Sequence, residues 1–199
     1  MLKFGRILLI CTLWLMACQT IAQKDAWLAP NILNSQRIEL KFGSYGVDIL
    51  AQNHTSRLAN LYSFYEGQKS TRTLAFTRYH LPMDKALLLA HEEILKGGSI
   101  GSTLKNHGFQ VKKQFFFLEN ISMPKISYFT NNNLPAVIYE LIANIDGRDL
   151  HYCIILEVYD PNFLTIEEAR NLYPITLSDP KRAKEILSSF EALIITSRL

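Results

Sequence analysis

Val137-Ile138-Tyr139-Glu140-Leu141-Ile142-Ala143-Asn144-Ile145-Asp146-Gly147-Arg148-Asp149-Leu150-His151-Tyr152-Cys153-Ile154-Ile155-Leu156 is a pair of β-rich runs joined by Asp-Gly. Asp-Gly is the chemistry of a two-residue type I′ hairpin, because both central residues need positive φ. Taken literally, the turn sets Val137, Tyr139, Leu141 and Ala143 opposite Leu156, Ile154, Tyr152 and Leu150. One face of the hairpin is then wholly apolar, so turn chemistry and hydrophobic pattern point to the same register. The other face pairs Ile138 with Ile155, Glu140 with Cys153, and Ile142 with His151. That mixed face is expected to be half covered by a helix.

Upstream, Ile38, Leu40 and Phe42 alternate with polar residues and predict a strand, which Gly43-Ser44-Tyr45-Gly46 turns into Val47–Leu50. Further strands are predicted near Arg57–Phe64 and Thr71–His80, separated by Glu66-Gly67-Gln68, giving a four-run antiparallel meander. Pro82 reads as the opening of a helix, since a first-turn proline lacks only an N–H that has no partner there. Its apolar stripe is Met83, Ala86, Leu87, Ala90 and Ile94, and Gly97-Gly98 stops it. A short helical turn from Ser99 to Asn106 and a strand over Phe109–Ile121 follow. Thr165-Ile166-Glu167-Glu168 is a capping box. Ser178-Asp179-Pro180 starts a last helix with Ala183, Ile186, Leu187, Phe190, Leu193 and Ile194 on its buried stripe. The order of elements predicts an α+β domain, a mainly antiparallel sheet with helices packed on one face.

The chain has 199 residues, 48% hydrophobic and 20% charged, the composition of one folded domain. The expected division is a signal peptide over 1–17, a tether or lead-in over 18–36, and a single domain over 37–199. Without residues 1–17 the formal charge is 19 basic against 18 acidic residues. A body so near neutrality offers no electrostatic basis for nucleic acid as a partner.

The first residues read as an address. Lys3 and Arg6 precede an apolar run, Ile7 to Ala17, interrupted only by Cys11 and Thr12. A run of roughly 11 residues has the length of a signal-peptide core, whereas a membrane-spanning helix needs about 20. It ends in Leu15-Met16-Ala17-Cys18, which resembles the lipobox of bacterial lipoproteins. That resemblance implies cleavage before Cys18, acylation of its thiol, and, from Gln19 rather than Asp at the next position, sorting to the periplasmic face of the outer membrane. Met16 is bulkier than the residue usual there. Two alternatives are cleavage after Thr20-Ile21-Ala22, which would free a soluble periplasmic protein, and an uncleaved anchor. Only Cys153 would remain as a thiol in the folded body, so no intramolecular disulfide is expected there.

From about Thr73 onward, the order of elements resembles the PsbP-like fold of thylakoid-lumen and bacterial periplasmic proteins. The residues that carry the resemblance are the helix Met83–Lys96 with its glycine stop, Gly108-Phe109-Gln110-Val111, the Asp146-Gly147 hairpin, and the C-terminal helix through Ser188-Ser189-Phe190. It implies an accessory, scaffold or binding protein of a membrane complex, most members being without catalysis.

Three motifs bear on chemistry. Gly97-Gly98-Ser99-Ile100-Gly101 matches G-x-S-x-G, but a nucleophile elbow needs a strand before it, and here a helix precedes. His91-Glu92 begins H-E-x-x-H, yet Leu95 stands in place of the second histidine. The five histidines, at 54, 80, 91, 107 and 151, show no ligand spacing and read as surface or capping residues. In the hairpin register, Glu140, His151 and Cys153 share a face, the constellation of a cysteine-dependent hydrolase. A free cysteine in an apolar strand is more often a small buried hydrophobe.

No catalytic, cofactor or metal residue is therefore expected, and Cys18 is the single assigned site, for lipidation. The expected function is a non-catalytic, lipid-anchored envelope accessory protein with a protein partner. Alternatives are a periplasmic carrier of a small apolar ligand and the cysteine hydrolase. For binding, Tyr62, Phe64 and Tyr65 beside a turn form a candidate contact patch, and Asn131-Asn132-Asn133 a polar loop.

Overall fold

The computed structural model describes residues 26–30, 32–123 and 127–196. The leader, both cleavage positions and Cys18 lie outside the described residues.

Six strands form one antiparallel sheet: β1 (Gly46–Gln52), β2 (Ser56–Tyr65), β3 (Gln68–Tyr79), β4 (Gln110–Ser122), β5 (Asn133–Ile145) and β6 (Arg148–Tyr159). Their order is β1-β2-β3-β6-β5-β4, so two meanders meet at the β3–β6 seam. The chain crosses between them through α2 (Leu88–Leu95) and α3 (Ile100–Asn106). α1 (Asn34–Phe42) precedes the sheet, and α4 (Ile166–Leu172) and α5 (Pro180–Thr196) follow it. The class is α+β, as the order of elements predicts. Among the described residues no helix is long and apolar enough to cross a membrane.

The helices do not pack on one face, as the sequence reading expects, but divide between the two faces of the sheet. One apolar cluster joins Ile38 of α1, Ala90 and Ile94 of α2, Leu104 of α3 and Ala169 of α4 to Val137, Tyr139 and Leu141 of β5. The other joins Ala183, Ile186, Phe190 and Ile194 of α5 to Ala136 and Ile138 on the opposite face of the same strand. The C-terminal helix thus takes the face that the earlier helices leave open. Phe115 and Phe116 go to opposite clusters, beside an irregularity in the β4–β5 register between Phe115 and Phe117.

The first segment read as a strand is α1. Ile38, Leu40 and Phe42 alternate, but Asn34, Arg37 and Ile38 are the buried positions, a helical spacing hidden because two of the three are polar. Leu40 is 56% exposed. The Gln36 side chain accepts from the Leu33 N–H at 2.9 Å, and Gly43, at φ 72°, ends the helix by donating to the Glu39 carbonyl. The expected tether to residue 36 is correspondingly shorter. Trp27 is buried, the Lys41 ammonium sits 3.8 Å from its ring centroid, and the Arg37 guanidinium binds the Trp27 and Ala29 carbonyls.

Pro82 follows a cis peptide bond and lies outside the helix, which Asp84 opens by accepting from the Ala86 N–H. Ala86 is exposed, and the buried stripe is Leu87, Ala90, His91 and Ile94. The Thr165–Glu168 capping box forms as expected, and Asp179 caps α5 through the Arg182 N–H.

Candidate functional site

The hairpin that decides the fold also decides the chemistry. Asp146 and Gly147 take φ of 51° and 77°, and the pairs from Ile145–Arg148 to Ile142–His151 follow the expected register. Then Tyr152 is inserted as a bulge, so that Leu141 faces Cys153 and Glu140 faces Ile154. An extra residue in one strand reverses every later side chain on it. The proposed juxtaposition of Cys153 with His151 and Glu140 is therefore overturned. Cys153 is fully buried in the cluster beneath α2, and burial raises its thiol well above the ordinary value. A thiol held protonated in the core is no nucleophile.

Glu140 remains with His151 and gathers two further groups from distant elements. Its Oε1 lies 2.7 Å from His80 Nε2 and 3.0 Å from His151 Nδ1, and Arg182 of α5 binds both carboxylate oxygens at 3.2 Å. The His80 contact is short but lacks hydrogen-bond alignment. His80 reaches the cluster because β3 pairs with β6, and its N–H donates to the Tyr152 carbonyl. This convergence leaves no local trace in sequence. Burial works to raise the Glu140 pKa, but the Arg182 fork and His151 outweigh it and hold the carboxyl below its ordinary value. Burial likewise lowers His80, against the pull of Glu140.

Both shifts act in one direction. A group with a depressed pKa stabilises the fold above its unfolded value and loses that contribution as pH falls through its folded one. Glu140→Gln is expected to destabilise by about 2 kcal/mol at neutral pH, the loss of charge-assisted bonds to Arg182. Its stability should also vary less with acidification below the ordinary carboxylate range. Denaturant melts of both proteins across pH 3.5 to 7 check this, and parallel curves would exclude Glu140 as the titrating group.

The remaining histidines are separate. His91 is buried with Nδ1 2.9 Å from the Tyr152 hydroxyl, so it is a core residue rather than a surface one. His107 meets Glu93 at 2.9 Å, and His54 lies in the exposed β1–β2 turn. Among the described residues no group of three or more His, Cys, Asp or Glu is arranged to hold a metal ion. Gly101 of the G-x-S-x-G match is explained by packing, since a Cβ there would stand 3.1 Å from Leu33. Ser99 itself is an exposed residue before α3, not the apex of a strand-to-helix turn.

Three concave regions are candidates for binding. A cavity of about 130 Å³ lies between the sheet and the starts of α1 and α3, with apolar walls from Leu33, Ala59, Leu141 and Ile155 and the charged groups Arg57, Lys113 and Glu157. A groove of about 330 Å³ runs between β4 and α5, lined by Phe116, Phe117, Leu118, Ile175 and Leu187. A third hollow, about 610 Å³, is polar, with Asp48, Lys69, Arg72 and Asp160 on its walls.

The aromatic cluster splits. Tyr62 is buried, its ring so close over Gly46 that a Cβ there would overlap it. Phe64 and Tyr65 are 48% and 66% exposed at the tip of the β2–β3 hairpin, with Phe64 set edge-on to Tyr62. The Asn131–Asn133 loop is held locally, the Asn131 side chain accepting from the Asn133 N–H. No family model and no curated protein matches this chain.

Proposed function

We propose that the chain is a non-catalytic accessory protein of the bacterial envelope, anchored by a lipid on Cys18 at the periplasmic face of the outer membrane, that binds a protein partner. The leader supports the anchor: two cations, a short apolar core and Leu15-Met16-Ala17-Cys18. The kinship with PsbP-like proteins, read from the order of elements, belongs to the same proposal. The observation that carries partner binding is the exposed pair Phe64 and Tyr65. Two aromatic side chains presented at a hairpin tip, one braced against Tyr62, supply rigid contact area of the kind that dominates interface energies.

The test begins with intact mass and membrane fractionation in a Gram-negative host, beside Cys18→Ser. A lipid-sized mass on a species beginning at Cys18, lost with membrane release in the variant, is the expected result. A free periplasmic species beginning at Gln23 would remove the anchor from the proposal. For partner binding, a photo-crosslinker placed at Tyr65 should trap one discrete protein, and Phe64→Ala should reduce its capture about tenfold or more, as a hot-spot residue does. Unchanged capture in Phe64→Ala would rule out the tip.

A second reading is a carrier of a small apolar ligand, favoured by the β4–α5 groove, whose volume lies in the range of small-molecule sites. An organic compound extracted in stoichiometric amount from the purified protein would put that reading first.

A further inference from the structure

The cavity beneath α1 and α3 brings three charged groups to a wall that is mainly apolar but also carries Asn34, Thr77 and Tyr139. Two of them are engaged by the protein itself. Arg57 donates to the Gly98 carbonyl at 2.7 Å and lies 3.5 Å from that of Ile94, so it closes the C-terminal end of α2. Glu157 accepts from Asn34 Nδ2 on one oxygen and from the Tyr159 hydroxyl on the other. Lys113 differs. Its ammonium lies 4.5 Å from the Tyr139 ring centroid, and among the described residues it has neither a carboxylate at ion-pair distance nor a hydrogen-bond acceptor.

An ammonium has three donors, and that of Lys113, a half-buried residue, has no protein acceptor for any of them among the described residues. Burial lowers the Lys113 pKa from its ordinary value, Glu157 favours the protonated form, and Arg37 and Lys105 oppose it, so a bound anion would restore the charge that burial disfavours. Arg37 is already bound to the lead-in carbonyls, and Glu157 to its two donors. Lys113 is therefore the one charged group of this wall that is not already engaged by a hydrogen bond or ion pair to another part of the protein among the described residues. The apolar remainder sets the rest of the ligand. Ala59, Leu61, Ala75, Val111, Leu141 and Ile155 offer no hydrogen bond from their side chains. Val47 and Ser99, both exposed, stand at the mouth, between the β1 edge and the start of α3.

We propose that this cavity is a binding site for a free short-chain monocarboxylate, its carboxylate paired with Lys113 and its alkyl chain laid along β2, β3 and β6. Size limits the chain. An apolar cavity of roughly 150 Å³ holds benzene, so 130 Å³ admits about six or seven non-hydrogen atoms, the size of butanoate or pentanoate. The site shares no residue with the hairpin tip, so its failure leaves the partner-binding reading untouched and the converse also holds.

The test titrates the purified full chain in detergent with pentanoate, pentanol and octanoate, read by calorimetry and by NMR shifts of the methyl groups of Leu141 and Ile155. Pentanoate is expected to saturate in the millimolar range, with pentanol at least about tenfold weaker, a difference near 1.4 kcal/mol. Octanoate should bind more weakly than pentanoate because its chain exceeds the cavity. Lys113→Met should erase the preference for pentanoate over pentanol while leaving pentanol binding in place, which also shows that the variant is folded. Lys113→Arg should retain the preference. Equal binding of pentanoate and pentanol, an unchanged preference in Lys113→Met, or no saturable binding would each overturn the proposal.

Discussion

Phe163→Ala is expected to lower folding stability by about 3–5 kcal/mol, the range for truncating a fully buried aromatic residue. Phe163 has no exposed surface and joins three parts of the chain. Its ring centroid lies 6.2 Å from that of Trp27, 5.9 Å from Phe42 and 6.1 Å from Tyr159, and its carbonyl accepts from Lys41 at 2.7 Å. Alanine would leave a hollow bordered by the lead-in, α1 and β6, and those walls belong to separate elements that cannot all collapse into it. Urea unfolding measures the loss. In a chain beginning at Cys18, Trp27 is the sole tryptophan, so its emission reports the local effect directly. A red-shifted native spectrum together with a lower midpoint is expected. A loss below about 1 kcal/mol would show that the site relaxes far more than large-to-small substitutions usually allow.

Glu157→Leu is the second large effect. Glu157 is buried in mid-sheet, where Asn34 of α1 and the Tyr159 hydroxyl both point hydrogens at it. Leucine removes both acceptors and keeps the volume, and each donor left buried and unpaired costs about 1–3 kcal/mol. Asn34 also donates to Thr73, so it loses less than Tyr159. The expected destabilisation is therefore about 3 kcal/mol, with Tyr159→Phe removing part of it when combined with Glu157→Leu. A double-mutant cycle read by thermal or chemical unfolding checks this. Strict additivity of the two substitutions would show that the hydroxyl and the carboxylate do not interact.

The parts of the fold legible in sequence are those written in local chemistry. Asp146-Gly147 announces its turn, Thr165 and Glu168 announce their cap, and the C-terminal stripe from Ala183 to Ile194 has a clear period. What was not legible depends on partners far along the chain. The Tyr152 bulge has no glycine or other signature, and it alone decides that Cys153 enters the core while His151 stays at the surface. Likewise α1 reads as a strand because its buried positions include Asn34 and Arg37, whose burial is tolerable only once Glu157, Thr73 and the Trp27 and Ala29 carbonyls receive them. His80, Glu140 and Arg182 meet only after β3 has paired with β6 and α5 has crossed the far face.

If Cys18 carries the proposed lipid, the fastening of Trp27 by Arg37 and Lys41 limits how far the folded body can stand from the membrane. A lipid on Cys18 would leave eight residue steps to Ala26, which fully extended span at most about 28 Å. That is on the order of one small-domain diameter, so the folded body would sweep a shallow shell against the bilayer and never cross the compartment. Confinement of that kind raises the local concentration of anything else held at the same surface, as a short linker does between joined modules. A partner at the membrane could then be met through a contact as small as two aromatic side chains, which free in solution would hold it only briefly.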